Sequence, residues 1–254
     1  MIAYKDILAA YNRYVDTYRG EDGKLPEMMQ LKLVHTAHVV DNARKIAAGE
    51  AFDADLAEAG AIAALLHDTG RYEQLKRYNT FRDADSVDHA VLSHEIVSQK
   101  GWVEDKAILD AVLFHNRREL PEGLDARTLY LSHLVRDADK LDIFRIIESL
   151  IGEGEAWRTD RRAFWNLAVE GDPNEAVVQA IEGKRSVDYK DVKTLADFVL
   201  IQVGWMISGL YFATARRLVR ERGHLEFRRS FLKKLTCSPA IDRLCDMAGR
   251  ELAI

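Results

Sequence analysis

The stretch Leu65-Leu66-His67-Asp68-Thr69-Gly70 decides how this sequence of 254 residues is interpreted. An apolar period predicts a helix over residues 55–68, so His67 and Asp68 place an imidazole and a carboxylate in its last turn. Burial of both groups without partners would be strongly unfavourable. A metal ion, a mutual hydrogen bond or exposure at the helix end would each satisfy them.

The rest of the chain is also predicted to be helical, because sustained two-residue alternation is nearly absent. Apolar periodicity predicts helices near residues 4–19, 27–48, 55–68, 88–100, 104–116, 126–148, 174–182, 191–222 and 238–252. Residues 69–88 lack a clear period, and we expect them to form a long ordered loop beside a site. Gly70 is expected to close the third helix in a left-handed conformation.

These elements predict an all-α fold. We expect a single all-helical domain over residues 1–254, with a metal-binding core at residues 25–150 and a helical C-terminal extension at residues 151–254. Residues 198–215 carry no formal charge and reach the length of a membrane-spanning helix. Polar residues and glycines interrupt this stretch, so a buried helix is the preferred interpretation and no membrane partner is expected.

Composition limits the class of partner and the compartment. The 36 Lys and Arg residues are outnumbered by 41 Asp and Glu residues, and the net charge of −5 argues against a general nucleic-acid binder or a stable nucleic-acid complex. The two cysteines form no C-x-x-C motif, and no apolar leader segment precedes Asp6. We therefore expect a reducing, cytoplasmic location.

The positions of four residues, in order His35, His67-Asp68 and Asp139, carry the main functional signal. With their helical contexts they resemble the metal-binding signature of the HD superfamily of phosphohydrolases, over residues 28 to about 148. The resemblance implies an HD-type helical bundle, in which these four residues bind a divalent metal ion.

Two further histidines resemble those of HD proteins that bind two metal ions. They are His89 in Asp88-His89-Ala90 and His115 in Phe114-His115-Asn116. The resemblance implies that both ligate a second ion and that Asp68 bridges the two ions. Some two-metal members have another histidine where this chain has Asn116. Mixed imidazole and carboxylate ligands suit Fe, Mn, Zn or Ni, so the ligand chemistry leaves one or two ions and their identity open.

The resemblance implies a phosphohydrolase that uses a metal-activated water. Coordination lowers the pKa of water from about 16 to about 7, and nearby cations stabilise the phosphoryl oxygens. We expect Asp68 and Asp139 to act with Arg71 and Lys140 in catalysis, and Asp139 or a neighbouring carboxylate to assist proton transfer. Substrate contacts are expected from Arg71, Lys140, Arg117 and Tyr78, although solvation or pairing with Asp137 and Asp142 would equally explain the basic residues.

The expected partner is a small phosphorylated substrate, most plausibly a nucleotide, as the resemblance implies. Two alternatives use the same residues. One is an HD-type diiron oxygenase, since the same six ligands would serve oxygen activation. The other is a non-catalytic module that senses nucleotides or binds proteins, with a structural metal. A homodimer is compatible with the sequence.

Overall fold

The computed structural model of the protein describes residues 3–152, 158, 164 and 166–253. It is all-α, as predicted: the described residues contain no β-strand, and the isolated bridge among them pairs Ala168 with Thr194. The chain divides into two compact units, Met1–Asp139 and Lys140–Ile254, and the boundary falls within a long helix. No helix in the described part of the chain combines the length and apolar character needed to cross a membrane.

The first unit contains the helices that precede the boundary. They are α1 (Tyr4–Asp16), α2 (Glu27–Gly49), α3 (Ala54–Leu66), α4 (Gly70–Tyr78), a 3₁₀ turn (Asp83–Asp85), α5 (His89–Gln99), α6 (Lys106–Phe114) and α7 (Ala126–Gly152), which continues into the second unit. The second unit adds α8 (Glu175–Glu182), a 3₁₀ turn (Tyr189–Asp191), α9 (Leu195–Gly204), a π-helix (Trp205–Gly209), α10 (Ala213–Glu221), α11 (His224–Leu235) and α12 (Ala240–Ala253).

Helix α3 is the centre of the first unit. Its residues from Ala59 to Leu66 are all buried, and it packs against α1, α2 and α6. An apolar helix surrounded by neighbours needs no polar face, which explains its nearly uniform apolar sequence. Asp53 begins it by accepting a hydrogen bond from the Leu56 amide. The buried helix therefore delivers His67, its C-terminal cap, and Asp68 into the interior.

Residues 69–88 are a correction to the sequence prediction, because they contain α4 and a 3₁₀ turn and are not a continuous loop. Gly70 begins α4 and does not close α3, and the left-handed residue is Asn79, which ends α4 with φ 52°. Apolar periodicity does not predict α4, because its buried residues are Gly70, Tyr72 and Gln74, two of which are polar.

The second unit also departs from the prediction. The single helix expected over residues 191–222 is instead α9, the π-helix that directly follows it, and α10, with non-helical residues 210–212 between the π-helix and α10. Helix α11 was not predicted, because Arg228 interrupts its buried face of His224, Leu225, Phe231 and Leu232. The guanidinium of Arg228 donates hydrogen bonds to Glu148, Gln202 and the Phe144 carbonyl, which compensates its burial.

Candidate metal centre

Five helical segments of the first unit bring the six predicted ligands together. His35 lies in the middle of α2, His67 and Asp68 follow α3, and Asp139 lies in α7. His89 is the first residue of α5 and His115 is the C-terminal cap of α6. All four histidines and Asp68 are buried, with exposed fractions between 0% and 6%.

One group of ligands surrounds the Oδ2 atom of Asp68. His35 Nε2 lies 3.6 Å from this oxygen and 3.1 Å from Asp139 Oδ1. His67 Nε2 lies 3.5 Å from the same oxygen and 3.9 Å from Asp139 Oδ1. Ligands bound to one ion at about 2.0–2.2 Å lie at comparable distances from one another. These four residues, which we call the first subsite, therefore fit a transition-metal ion.

A second group of ligands surrounds the other oxygen of Asp68. His89 Nε2 lies 3.5 Å and His115 Nε2 3.8 Å from Asp68 Oδ1. The two Nε2 atoms are 3.0 Å apart. We call this group the second subsite. The two carboxylate oxygens of Asp68 therefore face different subsites.

The hydrogen bonds of the histidines direct Nε2 into the cluster. His67 Nδ1 donates to the Ala64 carbonyl at 2.7 Å, and His115 Nδ1 donates to the Val112 carbonyl at 2.8 Å. With the proton on Nδ1, Nε2 keeps the lone pair that a metal ion requires. His67 Nε2 is buried without a hydrogen-bond partner among the described residues. An orphaned buried acceptor of this kind fits a metal ligand.

Burial also keeps two of these rings neutral. It lowers the pKa of His67, and it lowers that of His115 further, assisted by the neighbouring His89 and His67. Burial raises the pKa of Asp68, but Lys32 and the surrounding histidines and Arg71 outweigh it and hold this pKa well below its usual range. Neutral imidazoles around an ionised carboxylate are the protonation states that metal binding needs.

Asp83 contacts a histidine of the centre, a role that the sequence analysis did not predict for it. His89 Nδ1 lies 2.6 Å from Asp83 Oδ2. Burial raises the pKa of Asp83, but the hydrogen bond and charge of His89, with Arg71 and Gln74, lower it to about 2. Asp83, Asp88 and His89 form a further group of potential metal ligands, in which the His89 atom facing Asp83 is Nδ1, whereas Nε2 faces Asp68.

Lys32 is a cation of the centre that sequence analysis missed. Its Nζ donates to Asp68 Oδ2 at 2.7 Å, and 15% of its side chain is exposed. The available signal is its spacing, since a residue three positions before His35 shares a face of α2 with it. The ring of Phe81 lies beside this ammonium, with its centroid 5.5 Å from Nζ.

Arg71, which was predicted to bind substrate, also contacts Asp68. Its Nε lies 3.3 Å from Asp68 Oδ1, while Nη1 donates to Gln74, the Phe81 carbonyl and Asp83. Nη2 has no hydrogen bond to the described part of the chain. Arg71 therefore orders the segment after α4 and still has donors for another group.

The remaining predicted substrate contacts are Arg117, Tyr78 and Lys140. Arg117 Nη1 pairs with Asp88 Oδ2 at 3.1 Å, beside His89, and Asn116 donates to the other oxygen of Asp88. Tyr78 ends α4, is 43% exposed, and makes no hydrogen bond to the ligand cluster within the described residues. Lys140 follows Asp139 but belongs to the second compact unit. Their roles stay predictions.

Comparison with known families identifies the same region. Residues 33–143 match the family model described as HD domain, and this range includes every residue of both subsites. Members of that family bind divalent metal ions. No curated protein and no solved structure shows significant similarity to the chain.

Proposed function

We propose, since the chain belongs to the HD-domain superfamily, that it is a metal-dependent phosphohydrolase acting on a small phosphate ester, with nucleotides as the preferred substrate class. The observation that carries this proposal is the geometry of Asp68, whose Oδ2 adjoins His35 and His67 while Oδ1 adjoins His89 and His115. A carboxylate shared in this way could hold two ions close enough to act on the same substrate. Such a pair of ions suits in-line displacement at phosphorus.

The charge of the centre supports an anionic substrate. Asp68, Asp83 and Asp139 supply three negative charges, and Lys32 and Arg71 return two positive ones. Divalent ions in the two subsites would make the centre positive, lower the pKa of a water molecule and neutralise phosphoryl oxygens. A phosphate ester satisfies such a site better than a neutral ligand does.

The protein's own side chains then have distinct tasks. Arg71 would bind a phosphoryl oxygen through its Nη2 donors, while its Nε holds Asp68. Asp139 is the proposed proton acceptor, because 19% of its side chain is exposed compared with 4% for Asp68. Burial raises the pKa of Asp139, but His35 and His67 outweigh it and lower this pKa, so the carboxylate is ionised.

The preference for a nucleotide derives from the family resemblance, and Phe81 adds support. Its ring centroid lies 5.5 Å from Lys32 Nζ and 5.7 Å from Arg71 Cζ, beside both cations of the centre. An aromatic face at this position suits a nucleobase, which stacks on aromatic rings whatever its identity.

The test is a metal-dependent phosphatase assay. Protein stripped with a chelator is reloaded with Mn²⁺, Fe²⁺, Zn²⁺ or Ni²⁺ and assayed for phosphate release from nucleotides, sugar phosphates and p-nitrophenyl phosphate. Activity is expected only after reloading, and Asp68→Asn should abolish it. Asp85→Asn is the matched control, because Asp85 forms an exposed pair with Arg82 outside the centre.

Oxygen consumption and nucleotide binding, measured beside this assay, separate the alternatives. The mixed imidazole and carboxylate ligands also suit iron, so a diiron oxygenase remains the competing activity. Oxygen consumption by iron-loaded protein without ester hydrolysis would identify an oxygenase and reject the hydrolase proposal. No turnover with any metal, together with unchanged nucleotide binding by Asp68→Asn, would instead identify a non-catalytic binding module.

A further inference from the structure

We propose that Lys32 is the substrate's phosphoryl-binding cation at the first subsite, an inference that rests on the proposed function. Its ammonium donates a hydrogen bond to Asp68 Oδ2 at 2.7 Å. On loading, the ammonium would exchange this carboxylate oxygen for an oxygen of the phosphoryl group. Lys32 would thereby act on the first subsite as Arg71 acts on the second.

The Lys32 ammonium lies next to the oxygen of Asp68 that faces the first subsite. Asp68 Oδ2, to which Lys32 donates, also lies 3.6 Å from His35 Nε2 and 3.5 Å from His67 Nε2. The ammonium therefore lies at the edge of the ligand set itself. Its side chain is 15% exposed, so Lys32 is largely covered but still reaches solvent.

Repulsion between a bound ion and the Lys32 ammonium also favours this exchange. Two divalent ions on Asp68 would engage both of its oxygens, and the ion at Oδ2 would repel the nearby ammonium. Lys32 then requires a new anionic partner. A phosphoryl oxygen between the ion and the ammonium would remove the repulsion and accept a charge-assisted hydrogen bond.

The ring of Phe81 would keep the ammonium at the centre after it leaves Asp68. The ring centroid is 5.5 Å from Lys32 Nζ, within the range of a cation–π contact. Arg71 Cζ lies 5.7 Å from the same centroid, and Arg71 Nη1 donates to the Phe81 carbonyl. The two cations on opposite oxygens of Asp68 thus share one aromatic neighbour.

The test compares Lys32→Met and Lys32→Arg with wild type, all loaded with Mn²⁺. Lys45→Met is the matched control, since Lys45 also lies in α2 and forms an exposed pair with Asp41. Elemental analysis gives the ion content, calorimetry gives the Kd of inorganic phosphate, and kinetics give KM and kcat for an ester that wild type hydrolyses.

Lys32→Met should keep the ions but weaken phosphate binding and raise KM by about 10- to 100-fold, the effect of one hydrogen bond to a charged group. Lys32→Arg should recover part of the loss, and Lys45→Met should match wild type.

Unchanged phosphate binding in Lys32→Met would overturn the inference while leaving the hydrolase proposal intact. Loss of the ions would overturn it too, by making Lys32 a positioning residue for Asp68. Metal-dependent phosphate binding that requires Lys32, without hydrolysis of any ester, would support the inference and reject the hydrolase.

Discussion

The Nδ1 atom of His89 lies 2.6 Å from Asp83 Oδ2. This contact fixes the ring with Nε2 directed at Asp68 Oδ1, 3.5 Å away. A carboxylate that holds a ligating imidazole in this way typically contributes a factor of about 10–100 to metal affinity. Asp83 also accepts from Arg71 and Gln74, so one side chain orders both the second subsite and the segment beside it.

We expect Asp83→Asn to lower the affinity of the second subsite for its ion by about 10- to 100-fold, while the first ion is retained. The reason is that the neutral amide holds His89 and Arg71 less strongly. Metal titration followed by calorimetry measures both affinities. Asp85→Asn, in the same 3₁₀ turn, should leave both unchanged. Equal affinities in Asp83→Asn and wild type would show that Asp83 does not position His89.

His89→Ala should remove the second ion and keep the first, because His89 adjoins only the second subsite's oxygen of Asp68. Elemental analysis after Mn²⁺ loading and gel filtration should give about half the wild-type metal content. His94→Ala, in the same helix, is the control. Loss of both ions from His89→Ala would contradict the division into two subsites.

Gly70 is predicted to be required for the placement of α5. A Cβ at this position would lie 2.7 Å from the Ser93 nitrogen and 2.8 Å from the His89 oxygen, both backbone atoms. Gly70→Ala should therefore displace His89, weaken the second ion and destabilise the fold by about 1–3 kcal/mol. Chemical denaturation and metal titration measure the two effects. Gly152→Ala, whose Cβ would meet no atom of the described residues within 4 Å, should cost nothing, and a similar result at Gly70 would refute the packing argument.

Glu148 is predicted to stabilise the second unit through Arg228, whose side chain is only 1% exposed. Burial raises the pKa of Glu148, but hydrogen bonds and charges of His224 and Arg228 lower it below its ordinary value of 4.5. Because the folded pKa is depressed, the stabilisation is present above about pH 4.5 and is lost as the pH falls through the folded value.

Glu148→Ala should accordingly cost about 3–5 kcal/mol near neutral pH, because it leaves a buried guanidinium without its counterion. Urea denaturation at pH 7 and pH 4 measures this cost, which should shrink at the lower pH. Lys233→Met breaks the exposed pair with Asp242 and should cost less than about 1 kcal/mol. Equal effects of the two substitutions would contradict the account of Glu148.

The all-α class was predictable from the sequence because apolar residues recur at helical spacing in nearly every segment. The six candidate ligands were proposed because their order and contexts resemble the HD signature, and the fold brings their side chains close together. Lys32 was missed because a lysine in the first half of α2 resembles an ordinary solvated residue. Only the folded chain shows that its ammonium reaches Asp68, 36 positions later.

Local structure after His67-Asp68 was less predictable. Helix α4 buries Tyr72 and Gln74 instead of an apolar stripe, so periodicity gave no signal for it. Asp83 lies six positions before His89, and only the 3₁₀ turn and the start of α5 bring the two side chains together. Contacts between polar side chains from separate elements depend on tertiary structure, which a single sequence does not encode in its spacing.

The central claim, that Asp68 bridges two metal ions, is tested most directly by anomalous X-ray scattering from crystals of the Mn²⁺-loaded protein. The account predicts two peaks about 3.5–4 Å apart. One should be ligated by His35, His67, Asp139 and Asp68 Oδ2, and the other by His89, His115 and Asp68 Oδ1. The absence of any peak within this cluster, or peaks ligated by other residues, would contradict it.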